Sequence, residues 1–462
     1  MADGIHLERL GLPAVSIVTD AFFPSSDAMA RLEGAPGYRY LAIPHPLSSL
    51  SEAECADRAE AVLPQVLELL GLAGTPAPAT AAAPATAAAP ADAGPAAAGP
   101  AAAGPATGPA TGPGPTRVAV EELVSVVEHY YAQGWTDGLP VVPVHQGMVD
   151  AFLAEAGLDP DEGLLRVDHL DKTCTAHLAA VAAGMAGCQP AHFPVVVAAL
   201  RALQPLAQTG LLQSTTGQAV CVVVNGPVRT RLGFNGAGNV FGPGYRANAT
   251  VGRAIRLMVM NALGVRPGGF DQSSQGTPGK YCLCLAENEE ASPWDPQHVE
   301  RGFAAGDSAV TVHLARSTVH VEQRTSSQPE QVLATIADSM SYGGAFGCRA
   351  ATVVVGPEHA QLLARAGWTR AQVRQFLFDH WGRARADLRR MGLAEGDGLS
   401  GAIAGGPTAA VLEPDDQFVH FGDSPDAILL VVAGAGNAGV STVIPAHRPM
   451  LHTVAFHSVA VG

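Results

Sequence analysis

Aromatic residues and positive charge are both scarce in this chain. Aromatic side chains make up 5% of the 462 residues, so the core must be mostly aliphatic. Lys and Arg number 27 against 42 Asp and Glu, which excludes the broad phosphate-neutralising surface of a nucleic-acid scaffold. No apolar run reaches the roughly 18 residues of a membrane span, and the N-terminus lacks the apolar region of a signal peptide. We therefore expect a cytoplasmic protein that binds neither nucleic acid nor membrane.

Cysteine is sparse, and its spacing excludes a disulfide framework. The seven cysteines are an odd number, are scattered along the chain, and include no C-x-x-C pair. In a chain without a secretory signal, free thiols are the default. The remaining composition, 47% hydrophobic and 15% charged, is typical of a globular protein with a sizeable core.

A low-complexity segment divides the chain. Residues 74–115 are almost entirely Ala, Pro, Gly and Thr, and side chains this small cannot bury enough surface to offset the entropy of ordering. The prolines favour a semi-extended tether. We predict an α/β half-domain over residues 1–72, a disordered linker over 73–116, and a larger mixed α/β domain over 117–462.

The patterns on both sides of the linker support this division. The first part has β-rich runs at residues 12–19 and 40–44, joined by a loop, and a helical pattern over 51–70. So short a part, under about 80 residues, seldom folds alone. The larger part alternates helix and strand patterns, which favours a mixed α/β domain. Predicted strands cover residues 219–224, 280–285, 309–314, 352–355 and 428–432, and helices lie near 174–185, 191–203, 249–263, 329–339, 357–366 and 370–378.

The first part resembles a known family. The strings HLERLGLPAVSIVTDAFFP and YRYLAIPHPLSSLSEAE are similar to the C-terminal half of the UGSC-type selenoprotein or thiol-protein domain, over residues 4–72. More distantly, they resemble the selenocysteine subunit of glycine, sarcosine and betaine reductases. The resemblance implies a redox motif of the form U/C-x-x-C just before the matched segment, where this chain begins. The half of the domain that carries this motif would then be encoded upstream of a misassigned start codon, would belong to a separate polypeptide, or would have been lost.

The larger part has a resemblance of its own. The strings TDGLPVVP, MAGCQP, FGPGYRANATVGRAIRLMVMNALG and PGKYCLCLAENEEASPW look like an uncharacterised bacterial family that accompanies UGSC-type domains as a fusion or a neighbour. This resemblance implies no particular reaction.

Cys188 is the leading candidate for chemistry. It lies in the turn sequence M-A-G-C-Q-P between two predicted helices. A thiol just before a helix start meets free N–H groups and the positive end of the helix dipole, which lower its pKa. The alternative is a small buried residue in a tight turn.

Cys174 and His177, predicted one turn apart at another helix start, form a second candidate pair of nucleophile and base. Cys174 and Cys188 could also meet as a redox pair or as half of a metal site.

An acidic cluster follows a pair of cysteines. Cys282 and Cys284 are two residues apart in a predicted strand, so they share a face, either as core or as ligands. Glu287, Glu289 and Glu290 come directly after this strand. Adjacent carboxylates serve as general acids, general bases or cation ligands when partly buried. The alternative is a solvated turn.

A segment rich in Gly and Asn, residues 233–250, leads into a predicted amphipathic helix. Free N–H groups at the helix start, together with arginines, favour an anion site for a carboxylate or phosphate. The alternative is a structural loop. The candidate anion ligands are Asn235, Asn239, Arg246, Asn248, Arg253 and Lys280, together with His45 at the end of the second predicted strand.

Three familiar motifs are excluded. The glycines at 434–439 satisfy G-x-G-x-x-G, but a strand pattern follows them instead of a helix, so they are no dinucleotide fingerprint. No G-x-S-x-G elbow is present. The histidines near the C-terminus lack zinc-site spacing. The sequence identifies no cofactor and predicts no metal site.

The sequence therefore predicts a thiol-dependent enzyme acting on a small anionic substrate. Cys188 is the nucleophile or redox group, Arg246 and Arg253 hold the anion, and the glutamates handle protons. The resemblance implies reductive or eliminative cleavage of a carbon–heteroatom bond. The alternatives are a non-catalytic binding or assembly subunit that docks a separate polypeptide carrying the thiol motif, and a metal-dependent hydrolase or lyase. We expect a homo-oligomer or a heteromer, since an exposed half-domain usually finds a partner.

Overall fold

The computed structural model describes residues 1–44, 52–72, 123–342, 349–391, 416–447 and 455–462. They fall into two units, Met1–Gly138 and Leu139–Gly462, and each contains helices and strands, so the predicted α/β class is confirmed. The predicted linker over 73–116 and the candidate ligand His45 lie outside the described residues. Among the described helices, none has both the length and the hydropathy that a membrane span requires.

The first unit contains a two-stranded parallel sheet of β1 (Ile17–Thr19) and β2 (Leu41–Ile43). Both predicted strands and the long helix are confirmed. The segment between the strands, expected to be a loop, is a helix, because parallel strands need a crossover connection and a helix usually supplies it. The helices of this unit are α1 (Ala2–Arg9), α2 (Phe23–Leu32), α3 (Glu52–Leu69) and α4 (Leu123–Ala132).

The second unit is built around an eight-stranded mixed sheet. Its strands are β5 (Ala219–Asn225), β6 (Cys284–Ala286), β7 (Ala309–Ala315), β8 (Val319–Glu322), β9 (Ala350–Val355), β12 (Ile428–Val432), β13 (Val440–Ala446) and β14 (His457–Ala460). Two small antiparallel pairs accompany it: β3 (Gly163–Val167) with β4 (Lys172–Thr175), and β10 (Gly382–Ala384) with β11 (Phe418–His420).

Ten helices of the second unit are described. They are α5 (Gln146–Ala156), α6 (Ala176–Ala186), α7 (Phe193–Ala207), α8 (Val228–Leu232), α9 (Arg246–Asn261), α10 (Gln297–Glu300), α11 (Pro329–Ser341), α12 (Pro357–Arg365), α13 (Arg370–His380) and α14 (Arg385–Arg390). All six predicted helices of this part are present, with ends that shift by a few residues.

Two strand predictions can be compared in detail. The strand expected over residues 280–285 is mostly wrong, because Pro278–Lys280 forms a 3₁₀ turn and β6 begins only at Cys284. The strand expected after the G-x-G-x-x-G glycines is confirmed as β13, so these glycines form a turn between β12 and β13.

The large sheet contains the same strand arrangement twice. In the first half, β7 is antiparallel to β5, and β5 is parallel to β6. In the second half, β13 is antiparallel to β9, and β9 is parallel to β12. The halves join where Ala446 lies opposite Ala315. Each half also gives its last strand to the other, since β8 pairs with β13 and β14 pairs with β7.

The two faces of the sheet pack against different cores. Val353 and Leu430 point into a cluster formed with α11, α12 and α13. Val354 and Val431, the next residue on each strand, point into a second cluster with Cys221 and other side chains of the first half. This alternation is the period of two that a strand imposes. Aliphatic side chains dominate both clusters, as the composition predicts.

The two edge strands of the sheet meet at their carboxyl ends. The N–H of Asn288, just after β6, donates to the carbonyl of Val432 at the end of β12 (2.7 Å). Beside this contact lies Glu287, a completely buried carboxylate that accepts from Arg370 (3.1 Å) and from the backbone N–H of Gln297 (2.7 Å). The sheet therefore curves until its edges touch, and an ion pair lies at the closure.

Arg370, the first residue of α13, is nearly as buried as its partner. Besides Glu287, its guanidinium donates to the carbonyls of Leu430 (3.0 Å) and Asp295 (2.7 Å). Burial raises the pKa of Glu287, while the charge of Arg370 and the hydrogen bonds to the carboxylate act in the opposite direction. The pair therefore joins the end of β6 to β12 and to the start of α13.

This closure gives a first prediction. Glu287→Gln leaves the buried Arg370 guanidinium with only the Glu300 carboxylate, 3.8 Å away, as a counter-charge. It should therefore lower the free energy of unfolding by about 3 kcal/mol, the lower end of the loss for a broken buried pair. Urea denaturation followed by circular dichroism measures this. In a double-mutant cycle with Arg370→Met, the double variant should cost at least about 1 kcal/mol less than the sum of the single variants.

The matched control is Glu290→Gln, because Glu290 also pairs with an arginine but is 64% exposed. It should cost less than about 1 kcal/mol. Equal losses at the two glutamates, or additive effects in the cycle, would show that the buried pair does not hold the closure.

Candidate functional site

The first half of α9 brings together several residues that the sequence treated separately. It packs beside the turn between α6 and α7, where Gly187 adopts the left-handed conformation (φ 89°) that ends α6. Arg246 Nε donates to the Gly187 carbonyl (2.9 Å). Two turns further along α9, Arg253 donates to the carbonyls of Leu139 and Pro140. We call the region around this turn and the start of α9 the Cys188 site.

The Cys188 thiol is buried at the centre of this site, with 4% of the residue exposed. It lies near the side chain of Thr250 and the charge of Arg246, both of which act to lower its pKa. Burial raises the pKa of Cys188 to about 12 because desolvation outweighs the lowering effects of Thr250 and Arg246. The expectation of a lowered pKa is therefore wrong in direction.

His192 is a member of this site that the sequence analysis missed. Its Nδ1 accepts from the backbone N–H of Gln189 (3.2 Å) in a reciprocal cap of the short turn before α7. Burial, and then the charge of Arg246, lower the pKa of His192. The ring is therefore neutral and fixes the turn that carries Cys188. The sequence signal that could have identified His192 is its position four residues after Cys188.

Three further cysteines lie close to one another behind α9. Cys282 Sγ donates to the carbonyl of Asn248 (3.2 Å). A β-carbon at Gly252 would lie 2.6 Å from this sulfur and 3.2 Å from Cys284 Cβ, so only glycine lets the helix come so near. Burial raises the pKa of Cys282 to about 11 and also raises that of Cys221 and Cys284. The expected shared strand face is wrong, since Cys282 precedes β6.

The loop before α9 is closed by its own asparagines. Asn235 N–H donates to Asn248 Oδ1 (2.8 Å), and Asn248 Nδ2 returns a bond to the Asn235 carbonyl (2.9 Å). Asn239, held at φ 60°, donates to the Pro243 carbonyl (2.9 Å). The side-chain amides expected to face an anion are thus already engaged, since Asn235 bonds the backbone of Gly238 and Ala237, and Asn248, on α9, also bonds the Cys284 carbonyl. Arg246 has an exposed side chain beside them.

Lys280 lies in a separate ionic cluster. Its ammonium donates to both carboxylate oxygens of Asp271 (2.8 and 2.7 Å), and Arg256 donates to the same carboxylate (3.1 Å). Although burial acts to raise the pKa of Asp271, the hydrogen bonds from Lys280 and Ser273 leave it lowered. The expected anion ligand Lys280 thus already has a carboxylate partner.

Cys174 does not lie on the helix where the sequence predicted it one turn from His177. Cys174 lies on β4, and the cap of α6 is Thr175, whose side chain accepts from the N–H of Leu178. The Cys174 thiol contacts the sulfur of Met258 (3.5 Å), and burial raises its pKa to about 12. Met258 lies eight residues beyond Thr250 on α9, about 12 Å along the axis. The sulfurs of Cys174 and Cys188 thus meet this helix at different places.

The acidic cluster is held by arginines. Arg229 donates to Glu289 (2.8 Å) and to Glu290 (3.0 Å), while Glu287 belongs to the pair with Arg370. The hydrogen bond from Arg229 lowers the pKa of Glu290. His298, also missed by the sequence, is fully buried 3.9 Å from Glu289. Within the described ranges, no group of three or more His, Cys, Asp and Glu residues is arranged to hold a metal ion.

The buried thiols give a second prediction. Because the pKa of Cys188 is raised to about 12, its alkylation by iodoacetamide should rise about tenfold per pH unit from pH 8 to pH 10 without levelling. Mass spectrometry of timed samples measures the rate at each cysteine. Cys55, which is partly exposed on α3, serves as the internal reference and should react faster at every pH. A Cys188 rate that levels off below about pH 9 would contradict the burial effect.

Comparison with protein families supplies one match. Residues 1–72 match the UGSC family, and all elements from α1 to α3 lie within this segment. The predicted resemblance to the UGSC family is confirmed over residues 4–72. Comparison with curated proteins gave no match, and comparison with solved structures gave none either. Residues 1–72 of the chain therefore carry a UGSC-type domain.

Proposed function

We propose that the second unit is a thiol-dependent enzyme that acts on a small anionic substrate at the Cys188 site. The observation that carries this proposal is the meeting of Cys188 with Arg246 at the start of α9, although the two residues are far apart in sequence. The Gly187 carbonyl, next to Cys188, accepts from the Nε of this guanidinium and so holds it at the turn. The planar guanidinium, with its paired N–H donors, suits a carboxylate or a phosphate.

The raised pKa of Cys188 defines how the site works. At neutral pH the thiol is protonated and shielded, so the resting enzyme resists adventitious oxidation and alkylation. Binding at Arg246 places the substrate next to the sulfur, and this proximity offsets the low fraction of thiolate. The reaction class that fits the UGSC relationship is reductive or eliminative cleavage of a carbon–heteroatom bond. In this proposal Arg253 and the asparagines shape the site, and Glu287 holds the closure of the sheet.

Charge selectivity at Cys188 tests the proposal. Iodoacetate is a small carboxylate with a leaving group, and iodoacetamide is its neutral counterpart. The ratio of their alkylation rates at Cys188, measured by mass spectrometry at pH 9, should exceed the same ratio for free glutathione by roughly threefold or more, because the Arg246 charge attracts the carboxylate. Arg246→Gln should return the ratio to the glutathione value.

The matched control is Arg324→Gln, since Arg324 is an exposed arginine whose partner is Glu322. It should leave the ratio unchanged. A wild-type ratio at or below that of glutathione, or an equal fall in both variants, would overturn the assignment of an anion site at Cys188.

A second candidate function is a binding or assembly subunit, and the first unit favours it. Its parallel sheet has only two strands among the described residues, whereas parallel sheets are normally larger and covered on both faces. Leu10, Leu12 and Ile17 are large apolar residues with about half of each exposed. The partner is then a second copy or a separate polypeptide that carries the thiol motif.

Sedimentation of the purified full chain over a roughly hundredfold concentration range tests whether the partner is a second copy of the chain. A rising mass supports a second copy as partner, and a constant monomer mass removes that arm. A metal-dependent hydrolase has less support, because the carboxylates that would hold the ion are bonded to arginines. The cytoplasmic location stays a prediction from the sequence.

A further inference from the structure

A surface groove of about 380 Å³ lies at the turn between α12 and α13. We call it the α12–α13 groove. Its walls are the rings of Trp368 and Phe376, which meet edge to face with centroids 5.6 Å apart at 79°. Both rings pack against the core cluster beneath them, and His380 stacks on Phe376 at 4.0 Å. The aromatic walls are therefore fixed in place. The groove is lined by Ala366, Gly367, Trp368, Gln372, Gln375, Phe376 and Asp379.

Asp379 is the only charged residue in this lining. Its carboxylate accepts a hydrogen bond from Gln375 Nε2 (2.7 Å). Within residues 123–342, 349–391 and 416–447, no lysine or arginine forms an ion pair with it. Gln372 is committed elsewhere, since its Oε1 accepts from Thr369 in the cap of α13. The groove therefore offers a negative charge that the surrounding described chain does not neutralise.

Two features of the groove favour the same ligand charge. The face of an aromatic ring carries a negative quadrupole, so it attracts a cation that loses part of its water. The carboxylate of Asp379 attracts the same cation and repels an anion. A neutral apolar ligand gains from the rings alone, and an anion gains from neither.

We propose that the α12–α13 groove binds a small organic ammonium cation, packed against the indole of Trp368 and held by the carboxylate of Asp379. The proposal concerns α12 and α13 of the second half of the sheet and does not depend on the Cys188 site, whose substrate is expected to be an anion.

Calorimetric titration of the full-length protein with choline tests this proposal. The comparison ligand is 3,3-dimethylbutan-1-ol, which has the shape of choline but no charge. Choline should bind at least roughly fivefold more tightly than the alcohol, as expected for a cation–π contact reinforced by a carboxylate. Trp368→Leu keeps an apolar side chain but removes the indole, and it should weaken choline binding by roughly fivefold.

The charge contribution has a matched control in the same chain. Asp379→Asn should weaken choline binding without affecting the alcohol. Asp150 on α5 also accepts a hydrogen bond from a glutamine four residues earlier, Gln146 (2.8 Å), so Asp150→Asn removes an equivalent exposed carboxylate away from the groove. It should leave choline binding unchanged. Equal affinity for choline and the alcohol, no measurable choline binding, or equal effects of the two Asn variants would each overturn the proposal.

Discussion

The buried pair of Glu287 and Arg370 is the contact on which the second unit depends. One member follows the last strand of the first half, and the other begins a helix of the second half, so the pair joins both halves where the sheet edges touch. Two desolvated charges are tolerated there because the carboxylate also receives bonds from Asn225 and the Gln297 backbone, and the guanidinium satisfies two carbonyls.

The corresponding contact in the first half shows how the repeat was adapted. Leu430 lies opposite Val353 in β9, and Cys284 lies opposite Val222 in β5. Arg370 binds the Leu430 carbonyl, while Asn248, from the start of α9, binds the Cys284 carbonyl (3.2 Å). Each helix thus docks onto the same point of its half. A neutral amide suffices in one half, and a charge is used in the other.

The sequence predicted local structure better than it predicted the site. Runs of valine such as 222–224 and 353–355 gave strands, and helical spacing gave α11 and α13, because these signals depend on a few neighbouring residues. The partners of the glutamates were not predictable, since Arg229 and Arg370 lie 58 or more residues away. The same limit applies to Cys188, whose pKa depends on how much water the tertiary packing removes. The repeat leaves only a short trace, V-V-V-N-G-P against V-V-V-G-P.

The exchange of β8 and β14 between the halves has a consequence for synthesis of the chain. Each half borrows an edge strand that is made at a different time from its own sheet. The first half emerges from the ribosome before β14 exists, so one edge of β7 stays unpaired until residues 457–460 are made. Waiting edges of this kind invite pairing with another chain. The sheet of the second unit can therefore be completed only after β14 has been made.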